Sequence, residues 1–486
     1  MSALISKMNL QLEQAQKWLS QSRGVNIQSV LADRVHTDSR SLQAGDLFVA
    51  LRGERFDGNE FIAQAKAQGA VAVVCEASGE AQAMAHDLPA LVVPDARIAL
   101  GELAAGWRAQ FDLPVIAVTG SNGKTTVTQM IASILRAHAG KDALSTQGNL
   151  NNDIGVPLTL FNLRAHHRIA VVELGMNHPG EIAYLSKLAQ PTVALVNNAQ
   201  REHQEFMGTV EAVAYENGAV LKALSPEGVA VFPVDDVFTP IWQALSGQRA
   251  QRCFAIASAN EAVVRATAVT WQSGAWQFTL KAPEGTTPVR LHIAGRHNVK
   301  NALAASACAL AAGVSLAAVA QGLQAFEPVK GRSRALVLHA ANSDITLVDD
   351  TYNANPDSVR AAIDVLAELP APRLLALGDM GEVGEQGLAF HDEVLRHAQA
   401  RGIEAVHVAG DWMRQASASL PGVTHWVEVP AMAGAVCAAV KDDRPLFRSV
   451  LVKGSRFMRM ERVVQALQAL EHAQTVAPHK DNAHAA

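Results

Sequence analysis

The sequence predicts an α/β protein of three units, and three observations predict it. A strand, a glycine-bounded loop and a helix follow one another between Pro114 and Leu135. Apolar runs that end in polar residues alternate with helical periodicity on both sides of a break near Gly331-Arg332. The chain has 486 residues, enough for about three domains with sizeable cores.

Composition narrows the function classes. Lys and Arg number 41 against 46 Asp and Glu, a formal net charge of −5, and no basic block suggests nucleic acid. Cys75, Cys253, Cys308 and Cys437 are scattered without C-x-x-C spacing. They read as buried hydrophobes of a reducing cytoplasm, not as a disulfide framework or zinc site. The first twenty residues include Lys7, Glu13 and Lys17 and lack an apolar core, so no secretory signal is expected. Ala302 to Ala320 carries no charge, but Ser306, Gly313 and Ser315 interrupt it. Two short buried helices are expected there rather than a membrane span.

The N-terminal unit mixes short strands and helices. Gly45 to Leu51 is a turn entering a strand, Phe61 to Lys66 starts a helix, and Ala70 to Val74 is a second buried strand. Ahead of them Thr37-Asp38-Ser39-Arg40 offers hydroxyls and a guanidinium. The group suits phosphate or ribose contacts; the plainer reading is a solvated turn. Ile98 to Arg108 is expected to be a helix leading into the central unit.

There Val115 to Thr119 is the strand and Gly120-Ser121-Asn122-Gly123-Lys124-Thr125-Thr126 the loop. Met130, Ile131, Ile134 and Leu135 keep helical spacing, and Gly140 can stop the helix. A strict Walker loop would need Gly where Val118 stands, so this is a shortened G-x-x-G-K-T-T cradle. Backbone N–H groups and the helix dipole face an anion, Lys124 adds charge, and the Thr125 hydroxyl can hold Mg²⁺. Ile169 to Val172 delivers Glu173 at its C-terminal end, and Thr192 to Val196 delivers Asn197 and Asn198. Strand–helix alternation predicts a mostly parallel sheet with the ligand crevice at these ends. Glu173 can therefore bind Mg²⁺ directly or through water. His203 follows the next strand, either as a structural loop residue or as a further metal ligand. The amide-rich run Gly148 to Pro157, with Asn151 and Asn152, can hold a polar substrate or simply favour turns.

Past the break the pattern restarts as a second α/β sheet without a phosphate loop. Ile345 to Val348 ends in Asp349-Asp350, followed by Thr351-Tyr352-Asn353-Ala354-Asn355-Pro356-Asp357-Ser358. Asn355 is a suitable N-cap and Pro356 a suitable first residue for the helix carrying Val359, Ile363 and Leu366. Strands at Leu374 to Leu377, Ala405 to Ala409 and Val450 to Val452 end in Gly378-Asp379-Met380, Gly410-Asp411 and Lys453-Gly454-Ser455-Arg456. Residues 476–486 read as a frayed tail.

In one order, these motifs resemble the Mur ligases. The features run from Ser39 to about Glu461 and include Ser39-Arg40 with Gly45 to Leu51, Thr119 to Thr126, Asn151-Asn152 with Ile154 to Pro157, and Val172 to Gly175. His297-Asn298 with Asn301 to Ala305, and above all Asp349 to Ser358, complete the match. The resemblance implies a uridine-nucleotide module at residues 1–95, a P-loop ATPase domain at 96–328 and a Rossmann-like ligase domain at 329–475. It implies a cytoplasmic, ADP-forming amide ligase of peptidoglycan precursor synthesis, using ATP and Mg²⁺. The substrates would be UDP-N-acetylmuramoyl-tripeptide and D-alanyl-D-alanine, with no nucleic acid or membrane span, and the chain a monomer. Lys124, Glu173 and His203 would serve catalysis, with Thr125, Glu173 and His203 on the metal. Gly120 to Thr126 with Asn298, Arg332 and Asp350 would contact ATP. Ser39, Arg40, Asn151, Asn152, Asn353 and Asn355 would meet the other substrates. Domain closure would assemble the site and exclude water from an acyl phosphate.

One departure stands out. Many Mur ligases carry a carbamylated Lys, ligating a second metal, in a segment like Ala212 to Gly218; the matching position here is Asn217. Glu216 is the expected source of the missing carboxylate; otherwise the second metal is held more loosely. The Ser39-to-Leu51 module and the Asn353-to-Pro356 run argue against a folylpolyglutamate synthase. The rival from another class is a nucleotide-binding switch that makes no amide bond.

Overall fold

The computed structural model describes residues 7–256, 262–272, 274–340, 343–441 and 446–475; the predicted tail at 476–486 lies outside them. Among the described residues the strands form sheets of nine, six and five strands and one two-stranded pair.

The nine-stranded sheet belongs to the central unit, with Val115–Thr119 between Ile169–Glu173 and Val193–Val196. All three strands are parallel and buried along their length, as their continuous apolar sequences require of a sheet covered on both faces. Side chains alternate between two cores. Val115 and Ala117 join the core of helices Ala96–Arg108, Glu181–Ala189 and Val210–Lys222. Ile116 and Val118 join that of helices Lys124–Ala139, His297–Ala311 and Leu316–Gln324. The last two are the pair expected from the uncharged Ala-rich stretch, and no described helix is long and apolar enough to cross a membrane.

The mostly parallel expectation holds, with an extension the sequence did not signal. Val264–Gln272, Ala275–Ala282 and Gly285–Leu291 add two antiparallel pairings at one edge. Burial in Val264–Gln272 alternates and then gives way to exposed positions, so these residues form no continuous apolar run.

In the C-terminal unit Ser343–Asp350 and Arg373–Gly378 flank Ser449–Lys453 in parallel, and only Arg334–Ala340 runs antiparallel. Helix Pro356–Ala367 starts at the expected residue. The Asn355 side chain accepts from Ser358 N at 2.8 Å, and Asn355 N donates to the Ser358 hydroxyl at 3.0 Å. The N-terminal sheet pairs Arg34–His36, Asp46–Val49, Ala72–Cys75 and Ala90–Val92 in parallel, with Arg23–Val25 antiparallel at its edge.

The phosphate-loop helix is locked in place by close packing. A Cβ on Gly322 would lie 2.3 Å from Ile134 Cα, and the Ser133 hydroxyl donates to Gly322 O at 2.8 Å. Gly322→Ala is therefore expected to cost about 1–3 kcal/mol through overpacking. In urea unfolding its midpoint should fall, while that of Gly434→Ala, whose added Cβ meets nothing within 4 Å, should not.

Candidate functional site

Register decides what meets at the sheet edge. Glu173 stands level with Val118 and Val196 with Thr119, so three adjacent strands end together. The loop after Val115–Thr119 leaves this edge with Gly120 at φ 129° and Gly123 at φ 81°, both in the left-handed half of conformational space. Neighbouring amides hold it open. Gly120 N donates to Asn217 Oδ1 at 2.9 Å, Asn122 N donates to Asn198 Oδ1 at 2.9 Å, and Asn197 Nδ2 donates to Asn122 O at 2.8 Å. A loop whose shape is fixed in this way needs little reordering to receive an anion.

Lys124 opens the helix and folds over the loop. Its ammonium donates to Gly120 O and to Ser121 O at 3.2 Å, and pairs with Glu202 Oε2 at 3.1 Å. Beside it the Thr125 hydroxyl donates to Glu173 Oε1 at 3.1 Å, and Asn151 Nδ2 donates to the same oxygen at 2.8 Å. Glu173 is 1% exposed, yet its Oε2 has no hydrogen-bond partner. A buried carboxylate oxygen left free beside a hydroxyl is suited to a hard cation. The residues present thus fit Mg²⁺.

His203 lines the same cleft, but its Nδ1 lies 2.7 Å from Glu382 Oε2, an ion-pair distance without hydrogen-bond alignment. The contact to His203 holds the Glu382 carboxyl below its usual range. The structure thus joins Thr125 to Glu173 and turns one nitrogen of His203 toward the C-terminal unit. Among the described residues no three His, Cys, Asp or Glu side chains group as a metal site.

Most of the other expected residues gather at the same cleft. Ser121, Asn122, Thr126, Asn298, Arg332 and Asp350 line it, and its volume is 920 Å³. Asn298 is buried, donating to Ala294 O at 2.7 Å and accepting from Asn301 at 2.8 Å. Arg332 reaches across from the C-terminal unit to donate to the Thr125 hydroxyl at 3.1 Å, its guanidinium 3.8 Å from the Tyr352 ring centre. Asp350 pairs with Lys453 at 2.6 Å, its register partner on the adjacent strand. Burial pushes Asp350 up, but Lys453, Ser333 and Arg332 outweigh it and hold its carboxyl below the usual value. Asn353 and Asn355 face the cleft, where Asn355 Nδ2 donates to Asn122 Oδ1 at 2.9 Å. Asn152 lines it too while accepting from Gly155 N at 2.8 Å. Ser39 and Arg40 are not brought to the cleft. They sit in the turn that follows strand Arg34–His36 in the N-terminal unit, where Arg40 bonds Asp38 at 2.7 Å and pulls that carboxyl down to about 2.

One expectation is corrected. The Glu216 carboxylate accepts from Gly180 N and Ile182 N, both at 2.8 Å, at the start of helix Glu181–Ala189. Both oxygens are engaged there, so Glu216 does not stand in for a metal-binding carboxylate at the loop. The carboxylate beside Asn217 is Glu202, whose Oε1 accepts from Asn217 Nδ2 at 3.2 Å. Its only sequence signal was adjacency to His203. Also unforeseen is Arg201, which bonds Asp357 at 2.6 Å and Glu393 at 2.7 Å on two helices of the C-terminal unit. With Arg360 it pulls Glu393 down to about 2.

Comparison with known proteins agrees with this geometry. Residues 33–108 match the Mur ligase family catalytic domain, 118–309 the Mur ligase middle domain and 333–456 the Mur ligase glutamate ligase domain. A curated relative, the UDP-N-acetylmuramoyl-tripeptide–D-alanyl-D-alanine ligase of Escherichia coli K12, is 42% identical over 90% of this chain and 94% of its own. A crystal structure of MurF from Acinetobacter baumannii superposes with TM-score 0.86 at 35% identity, covering 94% of this chain and 98% of the other. MurF from Thermotoga maritima in complex with ADP superposes at 0.77 with 25% identity, covering 91% and 98%.

The Arg201 contacts bear on closure of the cleft. Arg201→Ala should weaken the joint between the two units by about 1.5–3 kcal/mol, the range for hydrogen bonds to charged groups. Small-angle scattering should show a larger radius of gyration than the parent chain; superimposable curves would count against the joint.

Proposed function

The chain belongs to the Mur ligase family, and we propose that it is the ATP-dependent, ADP-forming ligase that joins D-alanyl-D-alanine to UDP-N-acetylmuramoyl-tripeptide. The observation that carries this reading is the meeting of two units over one phosphate loop. Thr125, on the loop helix, contacts both Glu173 and the Arg332 of the C-terminal unit. A relative with this activity aligned over nine-tenths of the chain, and a MurF bound to ADP, support it.

The chemistry proceeds in two balanced steps. A carboxylate oxygen of the tripeptide attacks the γ-phosphorus of ATP, the bond to the bridging oxygen breaks, and ADP leaves with that electron pair. The amine of D-alanyl-D-alanine then attacks the acyl carbon, loses a proton and expels inorganic phosphate, leaving the amide. Lys124 and the loop N–H groups neutralise charge at the transferring phosphoryl group. Arg332 approaches from the C-terminal unit and would help exclude water as the cleft closes. Thr125 and Glu173 would hold Mg²⁺, with His203 offering its other ring nitrogen; bound there, the ion neutralises phosphate charge. Asn298 and Asp350 would contact the nucleotide. Asn151 supports Glu173 directly, and Asn152, Asn353 and Asn355 line the path for the substrates to be joined.

Residues 1–95, carrying Ser39 and Arg40, would take the uridine nucleotide, with Arg40 exchanging Asp38 for a phosphate. Residues 96–328 would hold ATP, and residues 329–475 would complete the site. The protein would work in the cytoplasm as a monomer.

Phosphate release should require both UDP-N-acetylmuramoyl-tripeptide and D-alanyl-D-alanine; release independent of both would leave a nucleotide switch as the better reading. Lys124→Ala should lower turnover by about 10²–10³-fold, the scale of removing one charge-stabilising donor. Asn217 cannot be carbamylated, so turnover should not depend on bicarbonate. A strong loss in carbon-dioxide-depleted buffer, restored by bicarbonate, would contradict this.

A further inference from the structure

Two buried carboxylates face the phosphate loop. Glu173 keeps a free oxygen, whereas Glu202, 5% exposed, is occupied at both. Its Oε2 pairs with Lys124 at 3.1 Å and its Oε1 accepts from Asn217 Nδ2 at 3.2 Å. Among the described residues Glu202 is the one carboxylate in ion-pair contact with Lys124. The basic side chains on either side of it are engaged elsewhere. Arg201 is bound to Asp357 and Glu393, and His203 lies against Glu382. Asn217 also receives the Gly120 N–H, so Glu202 is fixed to the loop itself through a neutral amide.

The role of Glu202 rests on the ligase reading of this site, in which Lys124 cannot neutralise Glu202 and a triphosphate together. Once Lys124 turns to the phosphates, Glu202 remains as a buried anion beside a polyanion, penalised by desolvation and by like charge. A cation relieves both penalties; a carboxylate with one oxygen freed and the other held by an amide is a suitable hard-oxygen ligand.

We propose that Glu202 is the exchange partner of Lys124. It holds the lysine over the loop until nucleotide arrives, then binds a second divalent cation beside the one assigned to Thr125 and Glu173. The positions of Glu202 and Asn217 supply the anionic group that Glu216 does not, without any covalent modification.

The test counts Mn²⁺ bound per chain, by the paramagnetic signal of the free ion, with saturating non-hydrolysable ATP analogue. The parent chain should bind two ions and Glu202→Gln one, while Glu202→Asp, which keeps a carboxylate, should retain two. Without metal, Glu202→Gln should bind the analogue about tenfold more tightly than the parent, because a like charge beside the phosphates is gone. One Mn²⁺ in the parent, or two in Glu202→Gln, overturns the proposal, and a parent count of one does so even if the variant fails to fold. A parent that binds no analogue at all overturns the ligase reading instead, a result distinct from normal nucleotide binding with a single ion.

Discussion

The alignment of three parallel strand ends is the constraint on which the site depends. Because Glu173 is level with Val118, and Val196 with Thr119, the phosphate loop, a carboxylate and two asparagines leave the sheet side by side. Slipping one strand by a residue would turn its apolar set to the opposite core and withdraw its terminal side chain from the crevice. The two cores flanking Val115–Thr119 therefore specify the chemistry as well as the fold. The C-terminal sheet repeats the device, since registering Asp350 with Lys453 builds a buried ion pair at its own strand ends.

Much of this was legible in the sequence because it is local. Continuous apolar runs marked the buried parallel strands, and Asn355-Pro356 marked a helix start that the capping box fixes. The loop announced itself through Gly120, Gly123, Lys124 and Thr125. What escaped depends on partners far along the chain. Glu202 and Asn217 meet only because helix Val210–Lys222 packs against the loop strand, and no short-range pattern encodes that contact. Glu216 was chosen for nearness in sequence, yet adjacent helical residues point about 100° apart, and it faces Gly180 instead. The antiparallel edge was hidden by strands that alternate and then turn polar. Arg201 carries no local sequence signal of its partners, which lie 156 and 192 residues away.

The segment Arg201-Glu202-His203 links the two halves of the machine. Its three successive side chains reach helices of the C-terminal unit, the loop lysine and Glu382 respectively. His203 adopts a left-handed backbone, φ 46°, at this point. These three residues form one contiguous physical connection between the loop and the domain joint, beside the direct contacts of Asn122 with Asn355 and of Thr125 with Arg332.

The joint between the central and C-terminal units has a further consequence. Its contacts are largely polar: Asn122 with Asn355, Arg201 with Asp357 and Glu393, His203 with Glu382, and Arg332 with Thr125. When such surfaces separate, water takes over their hydrogen bonds, and little greasy area is bared. The molecule can gape to admit bulky substrates and shut again repeatedly without offering neighbouring molecules an adhesive face. Colloidal safety is thus built into the same contacts that define the working shape.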